Sequence, residues 1–303
     1  MTDTQKEVFK TPVNKIRLFE HGAPGSQNLK LTRKYYTEDM PDGRVKHIVQ
    51  NITDPDIVPY IPDGIGNSTD RQRIPAVLII PGGAFRRLVY NFEGEDVAKW
   101  LNSMGIAAFV LECRLPSDEH DNAEDVPLID AMRAMRVIRG RAQEFGIDEA
   151  KIGVMGFSAG GFMAALLSTA YESDVYADYK YKDEYDKLSA RPDFAVCSYP
   201  VISIDDCIEA GKRYMSEEQV LERISDRKAK ILHKYNPDKL VRPDMPPVFI
   251  CETDDDRTTL SENSVGFYMA ARKAGVSAEL HIFRTGGHGY GCGDDFAQTG
   301  EWK

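Results

Sequence analysis

The reading of this chain turns on IGVMGFSAGGFMAALLSTA, residues 152–170. Its first six residues, Ile152 to Phe157, make a continuous apolar run of the kind that suits a parallel strand buried on both faces. The residues after Ser158 are small or apolar over a length that suits a helix. A serine between strand and helix sits on a sharp, strained turn, and Gly156 and Gly160 remove the Cβ atoms that would obstruct it. The helix start then lies behind the hydroxyl and offers backbone N–H groups to a developing negative charge. G-x-S-x-G alone is common; the strand before it and the helix after it make the signal specific. The competing readings are a turn that merely packs helix on strand, and a dinucleotide site. The second fails on register, because GFSAGG lacks G-x-G-x-x-G.

Outward from this stretch the pattern alternates. Ala76 to Ile80 (AVLII) and Ile106 to Leu111 (IAAFVL) read as buried strands, and Glu93 to Met104 as an amphipathic helix between them. Val126 to Phe145 has helical spacing through Leu128, Met132, Met135 and Ile138 and stops at Gly146. Phe194 to Val201, Val248 to Cys251 and Leu280 to Phe283 supply three more strands. Repeated β–α alternation predicts an α/β fold, a mostly parallel central sheet with helices on both faces. Upstream, Val45 to Ile52 and Ile57 to Ile61 are β-branched runs joined through a DPD turn and predict an antiparallel hairpin. Residues 1–44 are polar and read as a loosely docked N-terminal arm, and residues 62–73 as a surface loop. Two segments interrupt the alternation: 171–193, with five tyrosines, and the charged segment 204–244. Each reads either as solvated surface or as a roof over the C-terminal edge of the sheet, where such folds bind ligands. The tyrosine-rich segment is expected near an acyl or sugar pocket, with core packing or a subunit contact as the alternative. Asn-x-Thr sequons at Asn51 and Asn67 read as coincidence.

Composition bounds the function. The 303 residues carry 38 Lys and Arg against 48 Asp and Glu, a net charge of −10, which argues against a nucleic-acid or anionic-membrane partner. No run approaches a bilayer-spanning length, and MTDTQKEVFK has no apolar signal core, so a cytoplasmic protein is expected. The five cysteines are scattered, without a C-x-x-C pair, and indicate neither a disulfide framework nor a zinc site.

A serine nucleophile needs a base, and the chain has six histidines. His21 and His47 precede the alternating core, His281 lies inside a strand, and His233 sits in the charged segment. His120 follows a strand end and stays open on position. His288, in GGHGYG just past the last strand, is the expected base. The acid that orients the imidazole is expected among Asp254, Asp255 and Asp256, which gives the chain order Ser, Asp, His. Pro81-Gly82-Gly83-Ala84-Phe85 follows the AVLII strand, so Gly83 and Ala84, with Ala159 after the serine, are the expected oxyanion donors.

Taken together, LIIPGGAF, LNSMGIAAFVLECRLP, IDAMRAMRVIR, IGVMGFSAGG, LSARPDFAVCSYPVIS and TGGHGYG resemble the α/β-hydrolase esterases of the acetylxylan esterase and carbohydrate acetyl esterase group, related to hormone-sensitive-lipase-like esterases. The resemblance runs from about Ile74 to His288. It implies one α/β-hydrolase domain over residues 1–303 and a Ser158–Asp256–His288 triad. The family's acid segment usually reads HTADDxVVP, whereas this chain has ETDDDRTTL. Glu252 and Leu260 replace its His and Pro, which keeps Asp255 as an alternative acid. The implied activity is hydrolysis of small esters, above all O-acetyl groups on xylo-oligosaccharides or other sugars, with no cofactor and no metal. Feruloyl or short-chain carboxylesterase activity, a prolyl-oligopeptidase-like peptidase and a non-catalytic binding protein on the same fold are the alternatives. The expected partner is a small ester substrate, with homo-oligomerisation left open.

Overall fold

A computed structural model describes residues 9, 13–65, 73–213, 216, 218–219, 229–293 and 299–303. Asn67, most of the loop expected at 62–73, and part of the segment 204–244 lie outside these residues.

Among the described residues the main sheet has eight strands. Its centre is β5 (Ile74–Ile80), flanked by β7 (Ala107–Glu112) and β8 (Ile147–Phe157), both parallel to it. β9 (Ala195–Ser198), β10 (Val248–Thr253) and β11 (Ala278–Phe283) continue the parallel run. On the other side β4 (Asp56–Tyr60) and β1 (Ile16–Arg17) add antiparallel strands. The core segments of β5, β7 and β8 have no polar alternation because both faces are covered, and Leu78, Phe109 and Val154 are fully buried.

The chain leaves β5 in one direction, through α1 (Asp96–Ser103) to β7, and returns past β5 through α2 (Val126–Gly140) to β8. Right-handed crossovers therefore put α1 on one face and α2 on the other, where α2 touches α4 (Ala159–Ala170). The reversal leaves a crevice at the C-terminal ends of β5 and β8. Both the PGG loop and Ser158 lie there. α4 is apolar around its whole circumference and buried from Ala159 to Thr169. Its two hydroxyls cap their own helix, Ser168 Oγ donating to Ala164 O at 2.7 Å and Thr169 Oγ1 to Ala165 O at 3.1 Å. The helical stretch expected to Phe145 breaks at Arg141 and resumes as α3 (Ala142–Phe145). It stops at Gly146, whose φ of 66° is the left-handed cap that favours glycine.

Two expectations fail in the N-terminal third. The hairpin is not formed: β3 (Val45–Gln50) joins a separate three-stranded sheet with β2 (Lys34–Asp39) and β6 (Leu88–Val89), whereas β4 enters the main sheet. Burial decides this, because Ile48 and Val49 pair with Val89 and Leu88, and Ile57 and Val58 are covered between β1 and β7. Asn51, at φ 57°, turns the chain from one sheet to the other. The described part of the arm is also not loose. It supplies β1 and β2, buries Leu18 and Phe19, and sends Lys15 and Arg33 to Glu112 at 2.6 Å each.

Candidate active site

Ser158 ends β8 and starts α4 with φ 54° and ψ −117°, the strained turn expected of it. The glycines around it are required by close approach. A Cβ on Gly156 would stand 2.0 Å from Gly160 O, and one on Gly160 would stand 2.0 Å from Ile80 O. The elbow thus presses β8, α4 and the end of β5 together without side chains. Ser158 N donates to Ser198 O at 3.0 Å, tying the turn to β9.

Ser158 Oγ lies 2.8 Å from His288 Nε2, and His288 Nδ1 lies 2.6 Å from Asp256 Oδ2. The carboxylate facing Nδ1 favours the tautomer with the proton there and leaves Nε2 to accept from the serine hydroxyl. Asp256 is 3 % exposed and fully held: Thr258 N and Thr259 N donate to Oδ1 at 2.6 and 2.9 Å, and Thr259 Oγ1 donates to Oδ2 at 2.9 Å. Burial alone would raise its pKa, but His288 and the two amides outweigh this and hold it below the ordinary carboxylate range. Asp255 has another task. Its Oδ1 accepts from Gly286 N at 3.0 Å and Gly287 N at 2.8 Å, fixing the loop that carries His288. Thr253 Oγ1 donates to Gly287 O at 2.9 Å and fixes the same loop.

In the PGG loop Gly83 has φ 139°, and Ala84 and Phe85 have φ 56° and 59°, a rare run for non-glycine residues. A Cβ at Gly83 would stand 2.1 Å from Arg87 O. Among the described residues the amides of Gly83, Ala84 and Ala159 donate to no protein acceptor. Ala159 opens α4, where unsatisfied amides and the helix dipole favour an anion.

The other histidines stand elsewhere. His120 Nδ1 is 3.0 Å from Ser26 Oγ in the arm, His281 Nε2 is 2.6 Å from Glu279, and His47 stacks on Phe9. His21 packs against Tyr181, and His233 lies on a short helix, Ala229–Lys234. The tyrosine-rich segment is not at the serine either. Tyr176 Oη bonds Asp186 and Arg136, Tyr179 Oη donates to Gly22 O at 2.9 Å, and Tyr171 Oη donates to Asp244 at 2.7 Å. Tyr176 and Tyr179 pack on α2 and the arm, the core alternative, because α4 carries the chain away from the elbow before the segment begins. Segment 204–244 comes nearer the sheet edge: Lys234 and Tyr235 bond Asp125, at the start of α2.

Four residues escape a reading by motif. Thr259 braces Asp256. Glu252, at the family's histidine position, is fully buried, and its carboxyl is pushed well up by burial and by Asp256. Glu93 accepts from Gly82 N at 2.8 Å and from Tyr199 Oη at 2.9 Å. The Tyr199 ring lies edge-on to His288, with centroids 5.0 Å apart. The only hint in the sequence is an acid twelve residues beyond Pro81, at the helix start after the glycine loop.

A central parallel sheet with a serine elbow, a histidine loop after the last strand and an acid after the strand before it defines an α/β-hydrolase. Comparison with known proteins carries this further. The BD-FAE family model matches residues 65–270. An acetylxylan esterase of Xylanibacter ruminicola is 31% identical over 223 residues, 73% of this chain and 42% of that protein. An endo-1,4-beta-xylanase B of Butyrivibrio fibrisolvens is 31% identical over 227 residues, 75% of this chain and 34% of that protein. The chain therefore spans less than half the length of these curated relatives. The solved acetyl ester-xyloside bifunctional hydrolase of Caldicellulosiruptor lactoaceticus superposes with a TM-score of 0.65 at 36% identity, covering 83% of this chain and 85% of that one. This chain belongs to the BD-FAE family.

Proposed function

We propose that the chain is a serine esterase that removes O-acetyl groups from xylo-oligosaccharides or related sugars. The observation that carries the mechanism is the unbroken hydrogen-bonded series Ser158–His288–Asp256, at 2.8 and 2.6 Å. His288 Nε2 takes the proton of Ser158 Oγ as the oxygen attacks the ester carbonyl. The amides of Gly83, Ala84 and Ala159 receive the oxyanion, and Asp256 steadies the imidazolium through Nδ1–H. His288 then gives the proton to the leaving sugar oxygen, and water repeats the cycle on the acetyl-enzyme.

The acetyl group and the sugar rest on two supports. Two of the relatives are an acetylxylan esterase and an acetyl ester-xyloside hydrolase. The crevice beside Ala159 is bounded by Gly82, Phe85, Leu115 and Met163, a confined and largely apolar surround that suits a short acyl chain better than a bulky one. One domain over residues 1–303 belongs to the same proposal, supported by a single sheet running from β1 to β11. So does a cytoplasmic location, supported by unbridged, buried Cys113, Cys197 and Cys251.

The test is acetate release from an acetylated xylo-oligosaccharide, beside 4-nitrophenyl acetate and a feruloyl ester. The acetylated sugar should give the highest kcat/KM, and Ser158→Ala should lower turnover of all substrates by about 10⁵ or more without loss of folding. A feruloyl ester turned over faster than the acetylated sugar would overturn the acyl assignment. Wild-type turnover in Ser158→Ala would overturn the mechanism.

A further inference from the structure

The proposed mechanism uses one buried carboxylate, yet a second, Glu93, reaches His288 through the ring of Tyr199. Glu93 is 5 % exposed, in a π-helical turn (Asn91–Glu95) that leads into α1. Its Oε2 accepts from Gly82 N at 2.8 Å, and its Oε1 faces Tyr199 Oη at 2.9 Å. Gly291 N donates to the same Tyr199 oxygen at 3.0 Å, so the tyrosine proton is directed to Glu93. Both carboxylate oxygens accept, and the series Gly82–Glu93–Tyr199–Gly291 closes with every member bonded.

The two ends of this series matter. Gly82 immediately precedes the strained residues Gly83 and Ala84, whose amides are the expected oxyanion donors. Gly291 stands three residues after His288 in the loop that carries the base. The fit around Glu93 leaves no slack: a Cβ on Gly82 would stand 2.7 Å from Glu93 Oε2, and one on Gly291 would stand 2.7 Å from Phe92 O. Tyr199 is itself fixed, with φ 37° and its amide donating to Cys251 O at 2.7 Å.

We infer that Glu93 and Tyr199 are positioning residues that hold the oxyanion loop and the base loop in one geometry. This rests on the reading of Ser158 and His288 as nucleophile and base. Neither residue touches the reacting atoms; they act through Gly82 and Gly291. A closed series of buried hydrogen bonds is rigid because each missing partner would leave an unsatisfied polar group. Oxyanion donors are effective when they are set before the charge develops, and Glu93 sets them from behind.

The same carboxylate carries an electrostatic role. Burial dominates and holds the Glu93 carboxyl above its ordinary range, although Tyr199, the charge of His288 and the Gly82 amide each favour the ionised form. The interaction is reciprocal, so an ionised Glu93 favours the imidazolium that forms as Ser158 attacks. The other groups facing this pair are Asp256 and Glu252 from β10 and its loop, Tyr290 beside Tyr199, and Lys46 on β3.

The experiment compares Glu93→Gln, Tyr199→Phe, the double variant and Ser158→Ala on 4-nitrophenyl acetate across pH, with far-UV circular dichroism on each. Both single variants are near-isosteric. Tyr199→Phe should lower kcat about tenfold with KM within twofold, because the loops lose their link while the acetate site remains. Glu93→Gln should lower kcat more and move the acid limb of kcat/KM to lower pH by half a unit or more. A purely structural role would leave that limb in place. The double variant should be no worse than Glu93→Gln, since both act in one series. Tyr199→Phe within twofold of wild type, or an unmoved acid limb in Glu93→Gln, overturns the inference. If Glu93→Gln does not fold, Tyr199→Phe decides through its kcat and KM. Wild-type turnover in Ser158→Ala overturns instead the reading on which the inference rests.

Discussion

The crevice at the ends of β5 and β8 and the N-terminal arm are held to the same sheet by opposite means. At the crevice, backbone meets backbone: Gly156, Gly160 and Ile80 touch with no room for a Cβ. The arm docks through charge. Lys15 and Arg33 reach Glu112 and Asp56, and Arg114 donates to Ser26 Oγ at 2.8 Å while its fork grips Asp130 at 2.6 Å. Arg114 and Asp130 are wholly buried. Close packing of glycines fixes one geometry and tolerates no substitution. A buried ion network is satisfied only while each partner is present, and losing one leaves its neighbours charged in a dry setting. Damage at the crevice should therefore appear in chemistry and folding together, and damage at the arm in stability alone.

The largest effect should come from separating the two adjacent acids. Asp256→Asn removes the carboxylate at Nδ1 and should lower kcat by about 10³–10⁴ on 4-nitrophenyl acetate. Asp255→Asn only loosens the Gly286–Gly287 amides and should cost about ten- to hundredfold. A greater loss at Asp255 would mean that loop position outweighs imidazole orientation. Next comes Gly160→Ala. Its methyl would collide with Ile80 O, so the expected cost exceeds about 4 kcal/mol, read as a collapse in soluble yield or urea midpoint. A well-folded Gly160→Ala protein would break the claim that the crevice is set by backbone contact. Arg33→Met should cost about 3 kcal/mol, at the low end for a broken buried pair because Lys15 stays on Glu112. Its kcat at 25 °C should remain within about twofold of wild type, since a group this far from Ser158 acts on stability. A kcat loss as large as that at Asp255 would remove the distinction between the two regions.

The same contrast explains what could be read in advance. Buried parallel strands announce themselves as apolar runs, and an elbow announces itself by its glycines, so β5, β7, β8, Ser158 and the PGG loop were legible. His288 followed from elimination and from its place after the last strand. The hairpin was misread because β-branched runs and a turn between them tell that strands exist and not which strand each pairs with. The arm was misread because its anchors, Lys15, Arg33 and Glu112, are residues that composition assigns to the surface. Glu93 left only a faint trace and Tyr199 none, for a related reason. Their role comes from partners 11 and 92 residues away, and neither Gly82 nor Gly291 carries a side chain to betray it.

The smallest expected effect is also the one that tests the arm most finely. Asp56 lies beside Arg33, Lys15 and Glu112, 8 % exposed. Burial first, and Glu112 second, push its carboxyl from the ordinary 3.8 up to about 6 despite the two cations. A raised folded value means that the native state binds a proton more tightly than the unfolded chain does. The resulting stabilisation is fully present below pH 3.8 and is lost as pH rises through about 6. Asp56→Asn abolishes this titration. Between pH 7 and pH 4.5 the wild type should therefore gain stability relative to Asp56→Asn, measured as the difference in urea midpoint at each pH. The comparison must be differential, because Asp256, held low by His288, loses its own contribution only at the acid end in both proteins. Were the difference flat, or of opposite sign, Asp56 would be an ordinary ionised partner of Arg33. The arm would then be held by a balanced set of pairs, with no carboxyl out of place.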